Sequence, residues 1–431
     1  MVVTAEETWH KSAALWSEAQ RVFPGGVNSP VRAAVKPYPF YVEGGDGAYI
    51  YSVDGVRFID YVLAYGPLML GHRHPRVLEA LKKQAERGWL FGTPTEVEVR
   101  LAKKILQYYH RGGMIRFVNS GTEATMTAIR LARGVTGRRF IVKFNGCYHG
   151  AHDNVLVAAG SAAAHYGTPT SLGVPGEVAG LTLVARYNDA DMVEKILKEY
   201  SNDVAAIIVE PVIGNAGVIP PRDGFLKALR EIADKYGVLL IIDEIITGFR
   251  LGLGGAQERY GVRADITTLG KIIGGGLPIG AVVAEREIME YLTPAGKVFN
   301  AGTFNAHPLA MAAGLATIEV LETGEPYSVA EYAAAKVAEA LEDAASRKGV
   351  DYVVNRVASM LQIFFHKGPV EYPEDAMKSN KMLYQRLHEE LLKLGVFIAP
   401  SQLEAIFTSG AHHKEVVEST LNAIEEAFKR L

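Results

Sequence analysis

The stretch from Val238 to Gly280 constrains the fold of this 431-residue chain more than any other. It opens with a short, wholly apolar run, VLLII, which ends directly at Asp243. Such a run is typical of a strand buried on both faces of a parallel sheet, whose carboxyl end delivers the aspartate into a crevice. A second β-rich run, DITTL, is followed after one glycine by Lys271 and then by a run of three glycines. The pattern predicts an acid and an amine at the ends of neighbouring strands.

An acid and a lysine placed in this way suit one kind of cofactor. The lysine can hold a carbonyl group as a Schiff base while the acid keeps a pyridine nitrogen protonated, which is what pyridoxal phosphate requires of a protein. Each residue also has an ordinary explanation, because an aspartate after a strand often caps a turn and a lysine near glycines is commonly solvated. The glycines lack the spacing of a dinucleotide-binding or P-loop motif. Only the combination indicates the cofactor.

Helical and apolar β-type segments alternate through the middle of the chain. The alternation predicts helices at 96–110, 121–134 and 223–236, and strands at 114–118, 139–144, 204–209, 238–242 and 265–269. It favours an α/β fold with a mainly parallel sheet covered by helices. In such a sheet, binding sites collect beyond the carboxyl ends of the strands.

The same pattern predicts how the chain is divided into domains. Residues 1–68 have the pattern of an N-terminal helix at 5–23 followed by a small β-meander. The large domain that would bind the cofactor spans 69–310. From 311 to 431, helices alternate with short strands, which predicts a smaller C-terminal α+β domain.

Composition excludes several classes of protein. With 48% hydrophobic residues, 22% charged residues and a net charge of -3, the chain has no basic field for nucleic acid or for a membrane surface. The single cysteine, Cys147, excludes an internal disulfide and suits a reducing compartment. The N-terminus lacks an apolar signal region, and no run approaches the roughly 20 apolar residues that cross a bilayer. We expect a soluble, cytoplasmic protein. No metal site is predicted, because the two histidines of GHRHP have no nearby carboxylate or cysteine.

A candidate phosphate site lies where the strand at 114–118 turns into a helix, in the sequence NSGTEA. Ser120 is a good N-cap, Gly121 lets an anion approach the backbone, and Thr122 offers a hydroxyl. The free N–H groups and the positive end of the helix dipole form a cradle for phosphate. A simple capped helix would show the same residues, so the motif is moderately specific by itself.

Further candidates follow other strands or lie in loops. Tyr148, after RFIVKF, could lie flat over a cofactor ring, and Glu210 and Asn215 would face the same crevice. In the loop GGVNSPVRA, Ser29 and Arg32 could bind a carboxylate, because a guanidinium matches it with two parallel hydrogen bonds. The Ala-, Gly- and Ser-rich stretch 151–177 is long for a connection, so it is either a disordered insertion or a lid, and its position after Tyr148 favours a lid.

Together these motifs resemble the class III aminotransferase group of fold-type I pyridoxal-phosphate enzymes, essentially from end to end. NSGTEA, DEIITGFR and LGK are similar to motifs of the whole group, whereas NSPVRA, GCYHG with AAGS, and SQLEA resemble its aminomutases. Those enzymes convert glutamate 1-semialdehyde to 5-aminolevulinate for tetrapyrrole synthesis. The resemblance implies a cofactor that alternates between pyridoxal 5'-phosphate and pyridoxamine 5'-phosphate. It also implies an internal amine shift through bound 4,5-diaminovalerate, and a homodimer with shared active sites.

The resemblance implies a role for each candidate residue. Lys271 would be the Schiff-base lysine and proton shuttle, with Glu404 near it, and Asp243 would pair with the pyridine nitrogen. The other implied roles are ring stacking by Tyr148, phosphate binding by Ser120, Gly121, Thr122 and the partner-facing Thr303, further cofactor contacts by Glu210 and Asn215, and substrate binding by Ser29, Arg32 and Ser161 of the lid.

The chain departs from the group's usual run at 304–307, where it has Phe-Asn-Ala-His. The residues leave three other functions open. They are an ordinary class III aminotransferase with separate donor and acceptor, an amino-acid racemase on the same scaffold, and a nucleotide-binding or non-catalytic protein that uses the glycine-rich turns.

Overall fold

The computed structural model describes residues 9–159 and 167–431 of the chain. These residues form two compact units. The large unit comprises Pro75–Gly324 together with Glu371–Pro373. The small unit comprises the described residues up to His74 together with Glu325–Val370 and Glu374–Leu431. Each unit has its own sheets and its own hydrophobic core.

The described elements have the following bounds. The helices are α1 (His10–Val22), α2 (Pro75–Ala85), α3 (Glu96–Ile105), α4 (Gly121–Thr136), α5 (Gly176–Ala179), α6 (Ala190–Tyr200), α7 (Phe225–Tyr236), α8 (Gly255–Tyr260), α9 (Arg286–Met289), α10 (Pro308–Leu321), α11 (Glu325–Lys348), α12 (Pro373–Lys378), α13 (Lys381–Lys393) and α14 (Lys414–Arg430). The strands are β1 (Val42–Asp46), β2 (Tyr49–Ser52), β3 (Arg57–Asp60), β4 (Met114–Val118), β5 (Phe140–Phe144), β6 (Val157–Ala159), β7 (Gly167–Pro169), β8 (Thr182–Ala185), β9 (Val204–Val209), β10 (Leu239–Asp243), β11 (Ile266–Gly270), β12 (Gly280–Ala284), β13 (Val353–Val357), β14 (Met360–Phe364), β15 (Val396–Phe397) and β16 (Ile406–Phe407).

The large unit is built on one sheet with the strand order β4-β12-β11-β10-β9-β5-β8. Its strands run in one direction except β12, which is antiparallel to both β11 and β4. The predicted α/β fold with a mainly parallel sheet is therefore confirmed. The sequence did not predict β12, because its run follows the three glycines and is itself flanked by proline and glycine.

The sheet is covered by helices because its central strands are apolar along their length. All six residues of β9 are buried, which leaves neither face of this strand for solvent. On α4, Ala124, Ala128 and Leu131 recur at helical spacing and are fully buried, and this face packs against β11 and β12. The predicted strands at 114–118 and 204–209 match β4 and β9, whereas the helix predicted at 96–110 ends at Ile105.

The direction of the strands sets the position of the candidate residues in the large unit. β4, β5, β9, β10 and β11 run the same way, so their carboxyl ends meet at one edge of the sheet. The residues at or just beyond these ends are Ser120, Tyr148, Glu210, Asp243 and Lys271. The sheet therefore brings these five of the sequence-predicted cofactor residues to one edge.

The small unit is an α+β structure. Strands β1 to β3 form the predicted antiparallel meander, and β15 pairs with β3 in parallel. A second sheet has the order β13-β14-β16. Residues of α11, α13 and α14 pack with both sheets in one core, which includes Tyr61, Leu361, Tyr384 and Phe428. No helix in the described ranges 9–159 and 167–431 is long and apolar enough to span a membrane.

The observed units divide the chain differently from the predicted domains 1–68, 69–310 and 311–431. α10 is buried along most of its length and packs against α2 and α3, so the chain stays in the large unit as far as Gly324. Because β3 pairs with β15, the described part of the N-terminal segment belongs to the same unit as the C-terminal region. Pairing between distant segments cannot be seen in local patterns.

Candidate active site

The turn between β4 and α4 has the features of an anion site. The Ser120 hydroxyl accepts a hydrogen bond from the backbone N–H of Glu123 at 3.1 Å and so caps the helix. A Cβ added at Gly121 would lie 2.7 Å from Cδ1 of Ile245, so a side chain here would have to displace the end of the Ile245 side chain. The Thr122 hydroxyl accepts from the backbone N–H of Ala151 at 3.2 Å, which leaves its own proton able to donate to an anion. The helix N-terminus adds positive potential at this point.

The segment Tyr148–Gly150 packs directly against this turn. Gly150 has φ +98°, and a Cβ built there would lie 2.6 Å from Oγ1 and 2.7 Å from Cα of Thr122. Only glycine combines the left-handed backbone with so close an approach. Because Gly150 has no side chain, the segment after β5 can contact the turn between β4 and α4 (the phosphate turn).

The Asp243 carboxylate is buried and held from several directions. Its Oδ1 accepts from the hydroxyl of Thr268 at 3.0 Å and from the backbone N–H of Ile245 at 3.2 Å. Its Oδ2 lies 2.7 Å from Nδ1 of His149, which is 1% exposed. An aspartate fixed in this way at a strand end fits the predicted partner of a pyridine nitrogen, which needs a negative charge in a fixed position.

His149 is the residue at this edge that the sequence analysis missed. Burial lowers the pKa of its imidazole, while the contact with Asp243 opposes that shift. The available signal was its place in the turn between Tyr148 and Gly150, directly after a buried strand. Nothing in the local sequence pairs it with an aspartate 94 positions further on.

Glu210 is a second buried carboxyl group at the same edge. Its Oε2 accepts from the backbone N–H of Tyr148 at 2.8 Å, and its Oε1 accepts from the backbone of Gly214 and the side chain of Asn215, each at 3.4 Å. Burial raises the pKa of Glu210 to about 8, the negative charge of Asp243 adds to the rise, and the charge of Lys271 opposes it. The structure thus joins Glu210 with Tyr148 and Asn215 through hydrogen bonds.

Lys271 begins the short 3-10 helix Lys271–Gly274 directly after β11. Its backbone has φ +47°, a left-handed conformation that is uncommon for a residue with a side chain. Strained backbone of this kind persists where the surrounding structure holds it and is concentrated at functional sites. The lysine is half-buried, and its charge acts on the Glu210 carboxyl group.

Thr303 is exposed in a turn before α10. The run 304–307, which differs from the usual sequence of the group, begins at the next residue. One residue of this run, Asn305, accepts a side-chain hydrogen bond. The amide of Asn119 donates to Oδ1 of Asn305 at 3.1 Å, which ties the turn after Thr303 to the phosphate turn.

The remaining described candidates lie in the small unit. Ser29 precedes the 3-10 helix Pro30–Ala34, on which Arg32 is exposed, and Glu404 is half-buried. The charges of Arg32 and Glu404 both affect the pKa of Tyr65, a residue that was not predicted from the sequence. Burial raises the pKa of Tyr65 to about 12, with Glu404 adding to the rise and Arg32 opposing it.

Tyr65 also ends a strained stretch. Leu63, Ala64 and Tyr65 have φ of 47°, 55° and 64°, three consecutive left-handed residues with side chains. The Asp60 carboxylate accepts from the backbone N–H groups of Val62 and Leu63 at 2.9 and 3.0 Å and stabilises the turn. Since such strain favours functional positions, Tyr65 joins Arg32 and Glu404 as a candidate.

The predicted lid at 151–177 is described only in part. β6 and β7 pair as antiparallel strands on either side of 160–166. Ser161, the predicted substrate-binding residue of this stretch, lies outside the described residues.

The residues of the large unit fit pyridoxal phosphate. A glycine at which an added Cβ would press on Ile245 stands at the phosphate turn, a fixed carboxylate stands at the end of β10, and a lysine follows β11. An imidazole contacts that carboxylate, and its buried Nε2 has no hydrogen-bond partner among the described residues. A phosphate cradle, an acid and an amine at one sheet edge are what the cofactor requires.

Comparisons with known proteins agree with this chemistry. The model of the family described as aminotransferase class-III matches residues 31–428. A glutamate-1-semialdehyde 2,1-aminomutase from Hyperthermus butylicus is 71% identical over 420 residues, which cover 97% of this chain and 99% of that protein.

Two solved structures are similar over nearly the whole chain. An omega-transaminase from Sphaerobacter thermophilus has a TM-score of 0.92 and 34% identity, covering 99% of this chain and 98% of that one. A variant of a glutamate-1-semialdehyde-aminomutase from Pseudomonas aeruginosa, in complex with PMP, has a TM-score of 0.90 and 26% identity, covering 99% and 96%.

Proposed function

Because this chain belongs to the class III aminotransferase family, we propose that it moves an amino group within one substrate, converting glutamate 1-semialdehyde to 5-aminolevulinate. The observation that carries the proposal is the 71% identity, over almost the full length of both chains, with an aminomutase of this specificity. The similar omega-transaminase shares 34%. Substrate and product are isomers, so the reaction consumes no separate amine donor, and its product enters tetrapyrrole synthesis.

Pyridoxal phosphate, or its amine form, supplies the carrier for the amino group and a ring that accepts electrons. The turn of Gly121 and Thr122, with its Ser120 cap, would bind the phosphate group. Asp243 would face the pyridine nitrogen, and Tyr148 would pack on the ring, since half of its surface is exposed beyond the sheet edge. Glu210 and Asn215 would contact substituents of the ring.

Lys271 would bind the cofactor and move protons at the reacting carbons. A lysine amine is a compact group on a long stem, so it can take a proton from one carbon and return it to another. The left-handed backbone at the start of the 3-10 helix fixes the base of this stem. The negative charge held at Asp243 favours proton removal, because it keeps the ring able to accept electrons.

Ser29 and Arg32 would bind the substrate carboxylate. Arg32 is exposed on a short 3-10 helix, and its planar guanidinium can form two parallel hydrogen bonds with a carboxylate. Ser161 would add a contact from the lid, and Glu404 would lie near the reacting groups. A lid has a clear purpose here, because 4,5-diaminovalerate must stay bound between the two halves of the amine shift.

The protein would act as a homodimer in the cytoplasm. Thr303 is exposed, as is required of a residue that binds the phosphate group in a partner subunit. The one cysteine, Cys147, is buried and free, which suits a reducing compartment.

The test is an assay of purified holoenzyme with glutamate 1-semialdehyde as the sole substrate. We expect 5-aminolevulinate to form without added amino acid or oxo acid. An ordinary aminotransferase would need a separate donor and acceptor, and a racemase would yield only the other enantiomer. Either of those results would contradict the proposal.

Lys271→Ala sharpens this test. We expect turnover to fall by about 10²–10⁴-fold, because both the covalent anchor and the proton carrier are lost. Lys271→Arg is the matched control, since it keeps the charge but lacks the primary amine that would anchor the cofactor, and it should be as inactive as the alanine variant. Circular dichroism should show both variants folded. Normal turnover in either one would remove Lys271 from the reaction.

A further inference from the structure

His149 has no role in the function proposed above, although it is buried and contacts the carboxylate of Asp243. Its side chain is fully buried, and Nδ1 lies 2.7 Å from Oδ2 of Asp243. The other carboxylate oxygen is already held by Thr268 and by the backbone of Ile245. With the imidazole in place, both oxygens of Asp243 are fixed by donors.

The charge of this pair follows from burial. Burial lowers the pKa of His149, and the neighbouring charge of Lys143 lowers it further, although Asp243 opposes both effects. A carboxylate only accepts hydrogen bonds, so a neutral imidazole must carry its proton on Nδ1 and donate it. A neutral imidazole that donates in this way adds no positive charge beside the carboxylate. A cationic donor beside Asp243 would instead offset the negative charge of the carboxylate.

The backbone of His149 is also held in place. The hydroxyl of Thr125, a fully buried residue in the first part of α4, donates to the carbonyl oxygen of His149. Nε2 of His152 lies 3.2 Å from the same hydroxyl. The imidazole that contacts Asp243 is therefore positioned by the helix whose N-terminus forms the phosphate turn.

We propose that His149 is a positioning residue for the reaction: it orients the Asp243 carboxylate and preserves its negative charge for the cofactor's pyridine nitrogen. This inference rests on the proposed function, because it assumes that Asp243 faces that nitrogen. His149 itself contacts neither substrate nor cofactor in this role. Its removal should alter the electronic state of the bound cofactor and the rate of turnover more than substrate binding.

The test compares His149→Leu with His149→Asn as holoenzymes. Leucine fills the volume and donates nothing, whereas the asparagine amide can place a donor near the position of Nδ1. We expect kcat of the leucine variant to fall by about 10–100-fold, as is typical when a group that orients a functional ligand is lost. KM should change by less than about 3-fold, and the visible absorption of the bound cofactor should shift. The asparagine variant should recover most of both properties.

The outcomes distinguish a failure of the role proposed for His149 from a failure of the proposed function. If kcat per bound cofactor and the absorption spectrum of His149→Leu match the wild type, the residue is only structural and the proposal is overturned. Should the leucine variant not fold, His149→Gln replaces it, because its amide is displaced towards Nε2. Equal kcat and equal spectra for the Gln and Asn variants would then count against the proposal. If the wild-type holoenzyme forms no 5-aminolevulinate, the proposed function fails, but the spectral comparison still reports on the contact with Asp243.

Discussion

Asp243 and Glu210 end neighbouring parallel strands, and each is 4% exposed, but their surroundings differ. Asp243 accepts from an imidazole, a hydroxyl and a backbone N–H, all within 3.2 Å. Glu210 has one close donor, the backbone of Tyr148 at 2.8 Å, and two at 3.4 Å. Burial, with the Asp243 charge second, raises the pKa of Glu210 to about 8. Glu210 is therefore mostly neutral at pH 7.

The difference shows how one sheet edge supports two roles with the same chemical group. Two buried carboxylates that interact cannot both ionise without a large cost, and at this edge it is the pKa of Glu210 that is raised. A charged Asp243 can stabilise a cation on the ring, and a protonated Glu210 can donate a hydrogen bond. The segment Tyr148–Gly150 serves both, since Tyr148 donates to Glu210 and His149 donates to Asp243.

Among the substitutions that test the difference between Asp243 and Glu210, Asp243→Asn should have the largest effect. The amide keeps the shape of the side chain but removes the negative charge, so we expect kcat to fall by about 10²–10³-fold, as when a fixed electrostatic group is removed. Steady-state kinetics and the absorption spectrum of the bound cofactor would measure the change. Turnover within 10-fold of wild type would show that the charge of Asp243 is not what the reaction uses.

Gly150→Ala should displace the segment Tyr148–Gly150, which supplies a hydrogen-bond donor to each of the two carboxyl groups. The alanine would be strained at φ +98° and would press on Thr122, so we expect the cofactor Kd of the apo-protein to rise about 10-fold. Gly137→Ala is the matched control. Gly137 also has positive φ and caps the far end of α4, but nothing lies within 4 Å of its Cβ position. The Gly137→Ala variant should lose stability and keep its cofactor affinity. Equal affinities for the two variants would show that the contact of Gly150 with Thr122 does not affect cofactor binding.

Much of the fold and part of the site can be predicted from sequence because they depend on local patterns. The apolar run before Asp243, the cap at Ser120 and the position of Lys271 after a strand are visible along the chain. The parallel sheet then places them at one edge for a general reason, the common direction of its strands. These predictions needed no knowledge of side-chain contacts.

The rest depends on contacts between distant segments. The bond between His149 and Asp243, the pairing of β3 with β15 and the strain around Tyr65 each require the folded chain. The pKa of Glu210 likewise depends on burial and on the charge of Asp243, which are properties of the assembled edge. Sequence therefore identified most of the residues at the edge, but neither His149 nor the way the charges are divided among them.

Glu210→Gln should have the smallest effect on turnover. It tests directly how the negative charge is divided between Asp243 and Glu210. Since the wild-type side chain is mostly protonated at pH 7, an uncharged amide resembles it, and we expect kcat within about 3-fold of wild type. Stability should respond more clearly. The pKa of Glu210 rises from 4.5 to about 8 on folding, so the folded protein holds a proton that the unfolded chain releases between these values. The resulting stabilisation is complete below pH 4.5 and is lost as the pH rises through 8, by at most about 1.4 kcal/mol per pH unit.

The glutamine variant cannot titrate at this position and should lack this component. Thermal unfolding of the cofactor-free proteins from pH 5 to pH 8.5 would measure it, with the variant as the reference for every other titrating group. The Tm of the wild type should fall relative to that of the variant as the pH rises. Parallel curves would mean that Glu210 is already ionised in the folded protein. A loss of kcat as large as that of Asp243→Asn would mean that the charges of both carboxylates are needed, and the contrast between them would then disappear.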